Sequence, residues 1–415
     1  MALRVSCDTC ALAHLGRRDA LPAIATAQTV LRILFARRLD AKVKYGGDIR
    51  LIDEYARELR MLGCEVVVSD HLHDAYASFD VVHLLNINNP FETYLRIRRI
   101  HTLPRRPAVV LTPLHHRTEW ILPYYRACLG VDLGEAQDQG AMRFNALITG
   151  KDCLRYGILA TRRPTLLARL PWLIASTFRQ KRYIVNHIDA LLVHTGLEAK
   201  SVQQDFRTRE TPSVDVSLGW RQPNIGPRPP TLPRQYILSV ARVEPLKNQL
   251  ALIEAVRPLG TPLVLVGQIN QHHRRYAQLF RDTIARSQHV THMPFLEHGK
   301  LAALYAGAAL HINASWFEVF PLTNVEAAAA GCPVVTTRNS YEKAAYGDEV
   351  EYVDPTSVHS IREAIVKTGM QGKHGRPENV LRHIPSWSGA AQLLVSAYKL
   401  AQETVNRGDA IPSCL

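Results

Sequence analysis

In the second half of the chain, apolar residues gather into short runs separated by stretches of helical periodicity. Residues 236–241, 262–267, 289–295, 309–313, 333–337 and 351–354 are rich in Val, Leu, Ile and Thr and are bounded by Gly, Pro, Asn or Asp, so each predicts a strand. Helical stretches fall between them, among them 248–259 and 358–367. This alternation predicts a doubly wound α/β domain, in which ligands bind at the carboxyl ends of the strands. The first half is α/β as well but less regular. Gly46-Gly47-Asp48 precedes a helix through Leu62, Gly63 stops it, and a strand follows at 65–68. Buried strands are expected at 79–83, 108–112 and 190–194. Residues 1–8 read as a first strand, and residues 11–40 look helical, which leaves an unexpectedly long gap before Gly46-Gly47. The proline-rich stretch 223–230 reads as a linker. The expected division is a first Rossmann-like domain at 1–222, a linker at 223–233, a second at 234–384 and a C-terminal helix at 385–405. Two such halves joined by a linker face each other across a cleft, the usual place for a binding site.

Composition narrows the class. At 415 residues the chain exceeds one ordinary core, and 47% hydrophobic with 21% charged residues is the balance of a soluble globular protein. No uncharged apolar run reaches the roughly 18 residues needed to cross a bilayer, and the N-terminus has no cleavable signal pattern. Seven cysteines without regular spacing point to a reducing compartment. Cys7-Asp8-Thr9-Cys10 stands alone, without the partners that a redox or metal role requires.

Charge adds one feature. The net charge is +13, and residues 151–182 carry eight basic residues against Asp152 alone, interleaved with Leu166, Leu167, Leu170, Trp172, Leu173, Ile174 and Phe178. Such a segment suits an anionic membrane surface, and equally a helix packed by its apolar side with arginines in water. No zinc finger, RNA-recognition signature or helix-turn-helix signal accompanies it, so nucleic acid is not an expected partner.

The chemistry concentrates in residues 315–335. Pro321 suits a first helical position, Ala327 to Ala330 carry the helix, and Gly331 ends it. Glu318 then lies beside a helix N-terminus, which attracts anions, and Glu326 lies about one turn inside. A carboxylate that accepts sugar hydroxyls next to a phosphate-binding helix end describes a nucleotide-sugar site. The pair alone would suit a solvated surface helix just as well. Arg242 and Lys247 follow the first strand of the second domain, where a guanidinium fork and a mobile ammonium can hold phosphate oxygens. Two cations and a helix end can stabilise a departing diphosphate without a metal, and no Asp-x-Asp occurs in the chain.

Arg242…Lys247-Asn248, Gly267, Leu301…Leu304-Tyr305, Glu318-x7-Glu326 and Gly331-Cys332-Pro333-Val334-Val335, in this order, resemble the donor domain of glycosyltransferase family 4. Gly46-Gly47-Asp48, Phe79-Asp80 with His83 and Asn86, Thr112-Pro113 and Glu198 are similar to the family's upstream motifs. The likeness runs from about residue 41 to 400. Trp387 and the helix through Tyr398 resemble the family's C-terminal helix, which crosses back onto the first domain. The resemblance implies a GT-B fold, with the donor on residues 234–384 and the acceptor on residues 1–222. It implies a retaining transfer from a UDP- or GDP-sugar with no metal or other cofactor. The expected acceptor is a cell-surface polysaccharide, lipopolysaccharide or lipid-linked oligosaccharide, and the expected location is cytoplasmic or peripheral on the inner face of the plasma membrane. A glycosyl phosphorylase or sugar-phosphate synthase acting on soluble acceptors is the alternative, and a non-catalytic binding protein of the same fold is a third reading.

Carried over residue by residue, Arg242 and Lys247 would hold the diphosphate, Glu318 the sugar hydroxyls and Glu326 the ribose. Backbone N–H groups from Phe320 through Leu322 to Thr323 would complete the phosphate site. Gly46 and Gly47 would let the first domain approach the phosphates, and Gly267 belongs to the donor-side motif. His115 or His116 would face the donor sugar. The chain departs from the family at Pro321, where many relatives have Gly, and at residues 11–40, which have no clear counterpart and suggest a partner- or acceptor-specific element.

Overall fold

A computed structural model of the chain describes residues 30–41, 46–72, 75–130, 137–162, 177–208, 211–230, 232–294, 296, 298–371 and 376–406. The strand expected at 1–8 and the Cys7–Cys10 motif lie outside them.

Two six-stranded parallel sheets organise the molecule. The first holds β1 (Arg32–Ala36), β2 (Glu65–Ser69), β3 (Val81–Leu85), β4 (Ala108–Thr112), β5 (Ala190–Val193) and β6 (Ser213–Asp215), in the order β2-β1-β3-β4-β5-β6. The second holds β7 (Ile237–Val240), β8 (Leu263–Val266), β9 (Val290–Met293), β10 (Leu310–Ile312), β11 (Val334–Thr337) and β12 (Glu351–Val353), in the order β12-β11-β10-β7-β8-β9. Helices cover the faces, so the central strands are buried on both sides, as their continuous apolar runs require. Strand order reverses between β1 and β3 in one sheet and between β7 and β10 in the other. Such switch points open crevices at the carboxyl ends of the strands. These two crevices face each other.

The sequence reading of residues 11–40 as helical fails for the part that is described. Residues 32–36 are β1, paired with β2 on one side and β3 on the other. Ile33, Leu34 and Phe35 are all fully buried, which suits a strand covered on both faces and not an amphipathic helix. With β1 in place, only residues 37–45 separate it from Gly46, and the apparent excess of chain disappears. Strand β6 was also missed; its three residues lie at the sheet edge and carry no apolar run.

Three helices position the site. α1 (Gly47–Met61) turns Ile49, Ile52, Tyr55, Ala56 and Leu59 inward and ends before Gly63, whose φ of 85° only glycine adopts freely. α2 (Leu322–Ala329) follows β10, and α3 (Trp387–Asn406) packs against α1 and the first sheet, so the C-terminus does cross back. Tyr55 and Trp387 meet edge to face at 5.8 Å, and a Cβ at Gly219 would fall 2.5 Å from the Trp387 Cα.

His83 ties α3 to the first sheet. Its Nδ1 lies 2.7 Å from the Tyr398 hydroxyl and its Nε2 2.8 Å from Thr112 Oγ1. Burial pushes His83 and His311 down to about 3, and His194 down to about 4 against its hydrogen bond to Val216. A histidine depressed by folding contributes stability that is present above its unfolded value and lost as pH falls. Glu198 and Glu342, raised by burial to about 7, have the opposite sign, gaining stability as pH falls towards their unfolded values. The histidines prevail below about pH 6.5. Urea midpoints are therefore expected to drop between about pH 7 and about pH 5, less steeply in His83→Gln, which keeps hydrogen-bonding groups and cannot take up the proton.

Candidate active site

The second sheet's switch point carries the charged motifs. Arg242 follows β7, and Lys247 closes a short turn, Pro245–Lys247, after which Asn248 adopts a φ of 58°. After β10, the Asn313–Phe317 loop leads to Glu318, braced by Glu318 N–H to the Asn339 carbonyl at 2.9 Å and by Asn339 Nδ2 to the Trp316 carbonyl at 2.9 Å. Trp316 N–H donates to the Leu246 carbonyl at 2.9 Å and ties the two motifs together.

Lys247 Nζ forms an ion pair with Glu318 Oε1, which also accepts from Ser315 Oγ at 2.7 Å and, at longer range, from Asn313 Nδ2 at 3.4 Å. Burial opposes ionisation of Glu318, but Lys247 and Ser315 outweigh it and hold the carboxyl below its usual range. It is a fixed anion with a fixed cation beside it. Arg242 is more exposed and pairs with Glu244 at 3.3 Å, leaving most of its guanidinium open to solvent.

Gly267 supports this arrangement from below. Its φ is 149°, and a Cβ there would lie 2.0 Å from the Ala241 carbonyl oxygen. Only glycine lets the loop after β8 pass under the strand that presents Arg242.

Pro321 is the N-cap residue of α2, not its first helical residue, so the helix sacrifices no donor to it. The N–H groups of Leu322 and Thr323 begin the helix and donate to nothing among the described residues, as helix ends do. Phe320 plays a packing part; its ring meets His194 at 5.6 Å and Tyr346 at 5.6 Å. Glu326 forms an ion pair with Arg50 of α1 and accepts from the Tyr305 hydroxyl at 3.4 Å. Burial raises its pKa, while Arg50 and Tyr305 oppose the rise. Gly47 lies against α2, where a Cβ would meet Leu322 Cδ1 at 3.7 Å. Gly46 caps α1 and faces Asp48. The cavity beside Glu326 has a volume of about 370 Å³ and is lined by Arg50, Glu54, Arg221, Tyr305, Val325 and Trp387 among others.

The two histidines separate cleanly. His115 is buried in the first half, with Nε2 2.8 Å from Asp205 Oδ2 and its ring against Phe206 at 5.1 Å. Its N–H donates to Glu198 Oε1 at 2.9 Å, while Glu198 Oε2 accepts from His194 N–H at 3.0 Å, so one buried carboxylate clamps the loops after β4 and β5. His115 thus points away from the cleft, correcting its expected catalytic place. His116 points into the cleft, with its ring 4.8 Å from Phe317, and feels both Glu318 and Lys247; burial pushes it down to about 3, so it is neutral.

Sequence reasoning missed two supports. Asn324 Nδ2 donates to Glu342 Oε1 and Oε2 at 2.9 and 3.0 Å, and Thr336 Oγ1 donates to Glu342 Oε2 at 2.6 Å. This fully buried network seats α2 on β11. Arg50 was the other, although its position one turn into the helix after Gly47 was visible. The basic segment 151–182 lies partly outside the described residues. Its described ends belong to the helices Gln137–Arg162 and Thr177–Asn186. Among the described residues no helix is long and apolar enough to cross a membrane.

Residues 226–368 match the sequence profile described as glycosyl transferases group 1. This stretch resembles that family. The matched region contains Arg242, Lys247, Gly267, Glu318 and Glu326. A curated relative, O-antigen chain mannosyltransferase B of Escherichia coli, is 27% identical over 176 residues, 40% of this chain. The chain spans about half the length of that relative, 46%. Sucrose-phosphate synthase from Thermosynechococcus elongatus superposes with a TM-score of 0.64 at 14% identity, covering 89% of this chain and 98% of that one. The Anabaena protein HepE in complex with UDP-glucose superposes with a TM-score of 0.53 at 13% identity, covering 91% and 99%. At these identities the likeness is one of fold, and the fold is GT-B.

Proposed function

We propose that the chain is a retaining glycosyltransferase of family 4 that takes a UDP- or GDP-sugar and acts without a metal on a cell-surface polysaccharide, lipopolysaccharide or lipid-linked oligosaccharide. The observation that carries this reading is the Lys247–Glu318 ion pair at the β7/β10 switch point, facing His116 across the cleft. In this reading residues 234–384 hold the donor and residues 1–222 the acceptor, joined by 223–233, with 385–405 as the strut between them.

Arg242, Lys247 and the N–H groups of Leu322 and Thr323 receive the diphosphate, where negative charge grows as the sugar departs. Glu318 accepts donor-sugar hydroxyls. Glu326 accepts the ribose hydroxyls once Arg50 moves off it. The bond from the anomeric carbon to the phosphate oxygen breaks, the acceptor oxygen bonds to the same face, and its proton passes to the leaving phosphate. His116, neutral and packed on Phe317, lines the place where the sugar changes hands. The E. coli relative's O-antigen chain and the UDP-glucose bound by HepE support the acceptor and donor classes.

A sugar-phosphate synthase acting on a soluble acceptor is the second reading, favoured by the superposition on sucrose-phosphate synthase. Attachment to the inner face of the plasma membrane through residues 151–182 belongs only to the first, and salt-sensitive sedimentation with anionic liposomes separates the two. A thermal-shift series tests the donor site: UDP or GDP at about a hundred times its Kd raises stability by about 2.7 kcal/mol. No shift with either nucleotide overturns the proposal.

A further inference from the structure

We propose that the acceptor carries a phosphate, held in the first half by Lys181 with Lys151 as a second counter-charge. This rests on the glycosyl-transfer reading and adds a substrate class to it.

A second cavity, of about 400 Å³, adjoins His116 on the first-half side. It lies between the loops after β1, β3 and β4 and the helices that carry Lys151 and Lys181, and Phe317 of the second half closes it. Asn86, Asn88 and Asn89 line it with amides, a set suited to sugar hydroxyls. Asn88 is fixed by its N–H to Asn86 Oδ1 at 2.9 Å and its Nδ2 to the Leu114 carbonyl at 2.8 Å.

The charges distinguish this cavity from a neutral sugar site. Its lining holds Arg38, Lys151 and Lys181 against Asp40 and Asp152. Arg38 is committed, to Asp48 at 2.9 Å and Asp40 at 3.4 Å. Neither Lys151 nor Lys181 has an ion pair or hydrogen bond among the described residues. The Lys181 ammonium lies over the Phe206 ring at 5.6 Å, and neighbouring Asp205 is taken by His115 and Thr118. Burial pushes Lys181 down to about 8 although Asp152 and Asp205 oppose the shift. A half-buried cation without an ion pair among the described residues, bordering a polar cavity, is stabilised when an anion arrives.

Position supplies the rest. His116 feels Lys181 as well as Lys247. An acceptor phosphate on Lys181 and a donor diphosphate on Lys247 would flank the same imidazole, leaving the acceptor hydroxyl between them. Lys151 and Lys181 stand outside residues 226–368, so the group 1 match gives them no role. A sugar phosphate and a lipid-linked sugar diphosphate share this chemistry.

The test is calorimetric titration of the full chain, its donor site saturated with UDP or GDP, with glucose 6-phosphate, farnesyl diphosphate and glucose. The phosphorylated probes are expected to bind and glucose to bind far more weakly. Lys181→Met should weaken the phosphorylated probes at least about tenfold, and Lys181→Arg, which keeps the charge, should hold affinity within about threefold. Tighter binding of farnesyl diphosphate points to a lipid-linked acceptor, and tighter binding of glucose 6-phosphate to a soluble one. Equal affinity for glucose and glucose 6-phosphate, or an unchanged Kd in a folded Lys181→Met protein, overturns the inference. If neither nucleotide binds, the transfer reading fails on its own account. Lys247→Ala, which should lose the nucleotide and keep the Lys181-dependent probe, tells the two failures apart.

Discussion

Lys247→Ala is expected to lower kcat by a factor of about 10² to 10³, the usual cost of removing one preorganised group that stabilises a transition-state charge. The same change leaves Glu318 buried without its counter-charge, which costs about 3 kcal/mol of stability. Loss of activity alone would therefore be ambiguous, and the double variant Lys247→Met/Glu318→Gln resolves it. Ser315 Oγ can still donate to the amide oxygen at position 318, so stability should return towards that of the unmodified protein while transfer stays lost. Chemical denaturation alongside initial rates reads both quantities. A double variant that recovers activity with stability would make the ion pair a structural element only.

Gly267→Ala is expected to destabilise the second half by more than about 4 kcal/mol, well outside the usual range of a single substitution. The Cβ would stand 2.0 Å from a backbone carbonyl at the end of β7, at a φ that an L side chain rarely adopts. No side-chain rotation relieves a clash between Cβ and backbone, so the loop bearing Arg242 must move. Soluble protein recovered from this variant should bind nucleotide more weakly than the unmodified chain. Denaturation midpoints equal to the parent's would show that the loops after β7 and β8 do not constrain each other.

The second half was legible in the sequence because physics there is local. The inner strands β7, β8 and β10 are short and almost wholly buried, as parallel strands covered on both faces must be, and turn residues bound them. The Glu318–Glu326 spacing likewise follows from one loop and one turn of helix. What stayed hidden depends on distant parts of the chain. Strand β1 was mistaken for helix because residues 11–40 were read together, although Ile33, Leu34 and Phe35 fill both faces of a strand. The pairing of Arg50 with Glu326 requires the two switch points to meet, which no local pattern encodes. The choice between His115 and His116 turned on Asp205 and Phe317, one on each side of the cleft. Glu342 carried no signal, since a buried carboxylate beneath a helix looks in sequence like a surface residue.

The central claim is that Lys247, Glu318 and the start of α2 form a nucleoside-diphosphate site. Isothermal titration of UDP and GDP into the unmodified chain and into Lys247→Ala tests it most directly. The account predicts saturable one-to-one binding of at least one nucleotide and a loss of at least about tenfold in affinity in the variant. Absence of binding by both nucleotides, or identical affinity in the two proteins, would contradict it.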